Sequence, residues 1–195
     1  EDVHNNRNVK APASVAAIGA IANNDKVSFP WFAPAGFNRG SMDFVRNVET
    51  RLTSGDRDTL YDARINPIAV FPNTGFVIFG QKTLQFAKSA LDRVNVRRLL
   101  LEVKREIVKI AERLLFEPNN STTRARFVSQ VTPVLGLIQL QAGIEQFKVI
   151  CDASNNSFED AEQNKMNGRI IVVPTRAVEF ISIDFIVSNN GVDFQ

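Results

Sequence analysis

The side chains able to do covalent or metal chemistry are few in this sequence and poorly placed for it. His4, the sole histidine, lies in the polar opening "EDVHNNRNVK", so the usual general base is missing from every apolar segment. Cys151 falls inside the alternating stretch "EQFKVICD", where a buried, inert thiol is expected rather than a nucleophile. A lone cysteine excludes an intramolecular disulfide, leaves no His/Cys zinc set, and fits a reducing compartment. "CDASNN" gathers the oxygens of Asp152, Asn155 and Asn156, but without the ligand spacing of a calcium loop, and an Asx turn accounts for the same residues. "FNRG" has too few glycines and no preceding strand to cradle a phosphate. No catalysis, no metal and no cofactor are expected.

Non-covalent chemistry is better represented. From Arg93 to Arg113 the basic residues include Arg97, Arg98, Lys104, Arg105 and Lys109, interleaved with Glu102, Glu106 and Glu112. Such a side is ordinarily a solvated helix face, and its alternative is a surface for an acidic partner. Near the end, "VEFISIDFIVSNNGVDFQ" places Ile181, Ile183, Phe185 and Val187 at every second position, with Phe180 and Ile186 on the opposite face. This predicts a strand covered on both sides, whose edge invites strand addition unless its own tail folds back over it.

The elements that must position these groups follow from periodicity and punctuation. "PASVAAIGAIANND" predicts a short, closely packed helix ending near Asn23 and Asn24. "FPWFAPAGFNRG" predicts a fixed-shape loop with buried rings, and "SMDFVRNVE" a strand. "SGDRDTLYDARI" predicts a short helix with Ser54 or Asp56 near its N-cap, and "NPIAVFPNTGFVIFG" two strands around a turn from Pro72 to Gly75. Ser89 and Asp92 resemble a capping box ahead of a long helix whose buried stripe is Val96, Leu100, Val103, Ile107, Ile110 and Leu114, stopped by Pro118. A second helix, carrying Arg124 and Arg126, runs from near Ser121 toward Leu140, kinked or broken at Pro133, with Gly143 near its end. "EQFKVICD", a polar connection, "RIIVVP" and "AVEFISIDFIVS" complete the order. The fold class is α+β: a mixed or antiparallel sheet packed against long amphipathic helices, with an extended terminal arm.

Composition agrees with that reading. With 195 residues, 44% of them apolar and 23% charged, the chain can build one domain with a real core and room for a small satellite. Its formal net charge of +2 gives no bulk drive toward nucleic acid. No apolar run approaches the ~18 residues a membrane helix needs, and a soluble protein is expected. The first residue is not Met, so a longer parent stays open.

The strings "PWFAPAGFNRG", "RDTLYDARINPIAVFPNTGFVIFGQKTL", "DRVNVRRLL", "LFEPNN", "FKVICDASNN" and "ISIDFIVSNNGVDF" occur in this order from about Ala11 onward. Together they resemble the C-terminal part of contractile tail sheath proteins of myophages, a domain shared with phage-like bacteriocins and contractile injection systems. The resemblance divides the chain into a flexible leader (1–10), the conserved sheath domain (11–188) and a C-terminal arm (189–195), without the family's N-terminal arm and outer domains. It implies a structural subunit in hexameric rings stacked around a tail tube, contracting without nucleotide hydrolysis to drive the tube through the host envelope. Implied partners are copies of itself, the tube protein, the baseplate and the tail terminator, with no nucleic acid and no membrane insertion. The implied location is the virion tail, assembled in the host cytoplasm.

Two sets of site residues come with the resemblance. The tube-facing candidates are Arg97, Arg98, Lys104, Arg105 and Lys109, with Arg124 and Arg126. The candidates for strand exchange between subunits are Phe180, Ile181, Ile183, Phe185 and Val187, with Gly191, Val192 and Phe194 in the tail. A nucleic-acid-binding module using the same basic helix is the alternative of another class; the near-zero net charge and the lack of aromatics on that helix count against it.

Overall fold

The computed structural model describes residues 8–183. Its long helices are α3 (Val94–Glu112) and α4 (Ser121–Leu140), preceded by α1 (Ala13–Val27) and α2 (Ser54–Asp62) and followed by the short α5 (Phe158–Glu162). The strands are β1 (Ile68–Phe71), β2 (Gly75–Ile78), β3 (Ile144–Ile150) and β4 (Arg169–Pro174). Helix starts follow local chemistry. The Asn120 side chain accepts the Thr123 N–H at 2.9 Å ahead of α4, and Thr53 with Asp56 and Ser157 with Asp160 form capping boxes at α2 and α5. Each cap satisfies donors that the first turn leaves open.

The larger core lies between α3, α4 and the antiparallel pair β3–β4. Leu99 and Val103 of α3 meet Phe127, Val131, Leu135 and Ile138 of α4, and Ile144 of β3 closes the layer. Trp31 caps one end: its ring is buried, and its Nε1–H donates to the Gln141 carbonyl at 3.0 Å, the polar partner that a buried indole requires. The smaller core joins Ala20 of α1 to Met42 and Ile78, beneath the β1–β2 hairpin. The small-residue run of α1 makes this approach possible, since a Cβ on Gly19 would stand 2.9 Å from the Phe44 ring. The hairpin pairs Ile68 with Ile78 and Phe71 with Gly75, and Gly75 turns with φ of 76°, a conformation that costs glycine little.

The α+β class, the hairpin and the long helices stand as the sequence predicts; several details do not. The strands form two separate antiparallel pairs among the described residues, with no parallel pairing. "SMDFVRNVE" is not a strand: Ser41 alone bridges Val77, because the chain turns at once and Val45 N–H closes on the Met42 carbonyl at 2.9 Å. Ser89 does not cap α3. Its hydroxyl accepts Leu91 N–H and caps a 3-10 turn, Ala90–Asp92, while Arg93, held extended by a bridge to Lys82, sits at the N-cap of α3. The seam of α3 runs through Leu99, with Leu100 only half-buried, so the apolar stripe is displaced by one residue at its second turn. α4 is continuous across Pro133, whose exposed position lets water reach the carbonyl that its missing N–H leaves free. α1 continues to Val27, past the expected end at Asn24, and the polar connection contains α5. Rings of the aromatic loop are only partly covered: Trp31 is buried, whereas Phe29 and Phe37 are exposed.

Candidate functional site

The residues singled out for covalent or metal chemistry serve the fold. Cys151 is buried, and burial pushes its thiol up against the opposing influence of Arg124 and Asn156, which suits an inert core sulfur. The "CDASNN" oxygens close an Asx turn. Asp152 Oδ1 accepts Ser154 N–H at 2.8 Å, Asn155 Oδ1 accepts Asp152 N–H at 2.9 Å, and Asn156 Oδ1 accepts Asn167 N–H at 2.6 Å, tying the end of β3 to the approach to β4.

The basic candidates separate by environment. Arg98 forms an ion pair with Asp25 of α1 and is largely covered, so it joins two helices rather than facing solvent. Arg105 pairs with Glu102, and Lys109 with Glu106 at 2.7 Å, both along α3 itself. Arg126 lies 3.9 Å from Glu117, and Arg124 is half-buried near Cys151 and Asp152. Arg97 and Lys104 remain exposed with no ion pair among the described residues. They share one side of α3 with exposed Leu101 and Val108, since positions 97, 101, 104 and 108 follow helical spacing. A surface that mixes unpaired cations with bare apolar side chains can grip a partner by both means.

The terminal candidates are the second feature. Beyond β4 the chain forms no strand or helix as far as Ile183, and Phe180, Ile181 and Ile183 are 82%, 78% and 67% exposed. Phe185, Val187, Gly191, Val192 and Phe194 lie outside the described residues. Each strand of the β3–β4 pair has one outer edge unpaired among the described residues, and Ile171 and Val173 of β4 show apolar surface on the side away from the core. Among the described residues, then, a two-stranded sheet with bare edges is followed by an apolar segment that has no strand partner.

One residue of that segment is anchored. Glu179, between exposed Val178 and Phe180, accepts a forked pair from Arg93 (Nε to Oε1 at 2.7 Å, a second guanidinium nitrogen to Oε2 at 2.9 Å). It also accepts from the Tyr61 hydroxyl at 2.7 Å and from the Gln81 amide at 3.2 Å. α2, the exit of β2 and the N-cap of α3 therefore converge on one carboxylate. Burial pushes that carboxyl up, but the bonds from Arg93 and Tyr61, the Arg93 charge and the Gln81 bond outweigh it and hold it below the ordinary 4.5. Burial and the bond to Glu179 push the Tyr61 hydroxyl well above its usual range, so it stays a donor.

A profile of the phage tail sheath C-terminal domain matches residues 87–188, just over half of the chain. The chain belongs to the phage tail sheath family. It is 38% identical over 193 residues to the tail sheath protein of Vibrio phage KVP40, and 33% identical over 194 residues to that of Enterobacteria phage T4. These alignments cover 99% and 100% of the chain, so the likeness extends beyond the profile match, but only 29% of each relative: the chain spans less than a third of their length. Among solved structures, the sheath complex of the extracellular contractile injection system PVC in its contracted state aligns with a TM-score of 0.85 at 26% identity, over 93% of this chain and 52% of that one. The helical sheath of the anti-feeding prophage in its contracted state aligns with a TM-score of 0.79 at 25% identity, over 90% of this chain and 50% of that one. The matched family is structural rather than catalytic.

Within the sheath domain, sequence reasoning missed the Glu179 cluster and counted Arg93 with the solvent-facing cations. The available signal was an acid, Glu179, flanked by Val178 and Phe180 in a largely apolar run, a residue that would not be left unpaired in a covered strand. Its depressed carboxyl fixes the sign of a pH effect: the clamp's contribution is complete above the unfolded glutamate range and is lost as pH falls through the lower folded value. Further charges lie nearby: Asp92 pairs with Arg93 at 3.1 Å, Lys82 sits 3.6 Å above the Tyr61 ring, and Arg57 and Asp58 line the same cavity as Tyr61 and Glu179. The stability gap in urea between the sheath domain and its Glu179→Gln variant is expected to hold steady between about pH 6 and 7 and to narrow below about pH 4. A gap that stays constant down to that acidity contradicts the assignment.

Proposed function

We propose that this chain is the C-terminal part of a contractile phage tail sheath subunit. In this reading, copies of the full-length protein stack as hexameric rings around a tail tube in an extended helix, between baseplate and tail terminator. Contraction of that helix drives the tube through the host envelope. The energy is stored in the assembled lattice, so no nucleotide site and no catalytic residue is required. Residues 11–188 form the conserved sheath domain in this scheme, with 1–10 a leader and 189–195 an arm.

The observation that carries the proposal is the exposed apolar segment through Ile183, following a sheet whose outer edges are open among the described residues, in a chain of sheath family membership. A neighbouring copy supplying or receiving a strand would cover both, as strand addition covers any free edge. The higher identity to phage sheaths than to the anti-feeding prophage and PVC structures favours a phage tail over an injection system. The test is negative-stain electron microscopy of the intact gene product with and without purified tubes. Striated hollow cylinders are expected; dispersed particles under all salt conditions would remove the proposal.

For the tube-facing surface, the exposed and unpaired Arg97 and Lys104 are the strongest of the basic candidates. Each contact is worth about 1 kcal/mol or less and is screened by salt, which suits contacts that must be released together. The double variant Arg97→Glu/Lys104→Glu in the full-length protein is expected to assemble poorly on tubes at low salt and to recover in part as added salt screens the new repulsion, while tube-free polymerisation is unaffected. Unchanged assembly on tubes across the salt series would exclude these residues.

A further inference from the structure

The chain leaves β4 at Thr175, whose N–H donates to the Gly143 carbonyl at 3.1 Å. From there to Ile183, every hydrogen bond among the described residues is made by the side chain of Glu179. Its partners stand 118, 98 and 86 positions away in sequence, at Tyr61, Gln81 and Arg93. They are themselves braced. Lys82 bridges Arg93, Val94 N–H donates to the Gln81 carbonyl at 2.8 Å, and Lys82 N–H donates to Asn66 Oδ1 at 2.7 Å. The Lys82 ammonium donates to the Tyr61 carbonyl at 2.6 Å while lying over the ring of the same residue, which fixes where the Tyr61 hydroxyl points.

We propose that this cluster is a load-bearing anchor: it takes tension arriving along the C-terminal segment and passes it to α2 and to the start of α3 before it reaches the β3–β4 ladder. The role rests on the sheath reading, in which the segment links neighbouring copies. Without the anchor, a pull beyond Phe180 acts directly on Thr175 and the end of β4. A pull across the strand there peels the ladder one hydrogen bond at a time, the weakest way to load it. With the anchor in place, four hydrogen bonds to one carboxylate, two of them a forked Arg–carboxylate pair, must fail together. Glu179 is thus a positioning residue. The load enters α3 at Arg93, one helical turn before Arg97 on the exposed basic stripe, so movement of the linked segment is felt by the helix proposed to face the tube.

Arg176, exposed and only three positions from Glu179, provides a direct readout, because trypsin cuts after it and needs the surrounding segment to detach and extend. In the unpolymerised full-length protein, Glu179→Gln is expected to speed cleavage after Arg176 about tenfold and Tyr61→Phe about threefold. Glu162→Gln, an exposed acid on α5, should leave the rate unchanged. Sheaths assembled from Glu179→Gln should form and contract, then fragment at lower guanidinium concentration than wild type. Cleavage within about twofold of wild type for both clamp variants overturns the anchor. Variant sheaths as durable as wild type overturn its load-bearing role even if cleavage accelerates. Wild-type protein that never forms cylinders, while Glu179→Gln still accelerates cleavage, locates the failure in the sheath reading: the clamp would then hold the segment, but bear no load between copies.

Discussion

Replacing Ile181 and Ile183 by aspartate in the full-length protein is expected to abolish cylinder formation while leaving the fold of the subunit intact. Both side chains are largely exposed in the single chain, so their loss removes almost nothing from its own core. In an assembled lattice they would be covered by a neighbour. Each buried isoleucine then contributes roughly 1.5–3 kcal/mol, and each aspartate in its place adds the cost of desolvating a carboxylate. The penalty is paid at every subunit contact, so an effect that is nil in the monomer becomes decisive in the polymer. Electron microscopy reads the polymer, and circular dichroism with a thermal melt reads the monomer. Normal cylinders from the double variant would remove residues 180–183 from the inter-subunit contact, and a collapsed melt would mean that these residues serve the subunit's own core instead.

The second large effect is in the core. Phe127 of α4 is buried where α3, α4 and the β3–β4 pair meet, and a Cβ on Gly168 would already stand 2.8 Å from its ring. Phe127→Ala is expected to destabilise the chain by about 3–5 kcal/mol, through lost transfer free energy and the cavity left behind. Against a total stability of about 5–15 kcal/mol for a typical domain, this is enough to populate unfolded chains at growth temperature. Leu140, also on α4, is 86% exposed, and Leu140→Ala should change stability by no more than about 0.5 kcal/mol. Urea unfolding of the two variants beside the parent decides the matter. Similar midpoints for both would mean that the α3–α4–sheet core is not the stabilising centre of the fold.

Much of this molecule is legible in its sequence because the governing interactions are local. The 3.6-residue period of α3, the start of α4 at Ser121, the turn between Phe71 and Gly75 and the Asx turn at Asp152 each depend on residues a few positions apart, and all are found where the residue types put them. Family membership was legible for a related reason: ordered strings survive in sequence even when their contacts are distant. Three properties were decided only by the tertiary structure. Which cations are free depended on acids far away in the chain, Asp25 for Arg98 and Glu179 for Arg93, because an ion pair is set by proximity in space and not by spacing along a helix. The buried side of α3 at its second turn was decided by what α4 and the sheet present to it, which selects Leu99 over Leu100. The alternation after Ala177 reads as a strand, yet no strand forms there as far as Ile183, because alternation supplies the faces of a strand whereas its hydrogen bonds must come from another one.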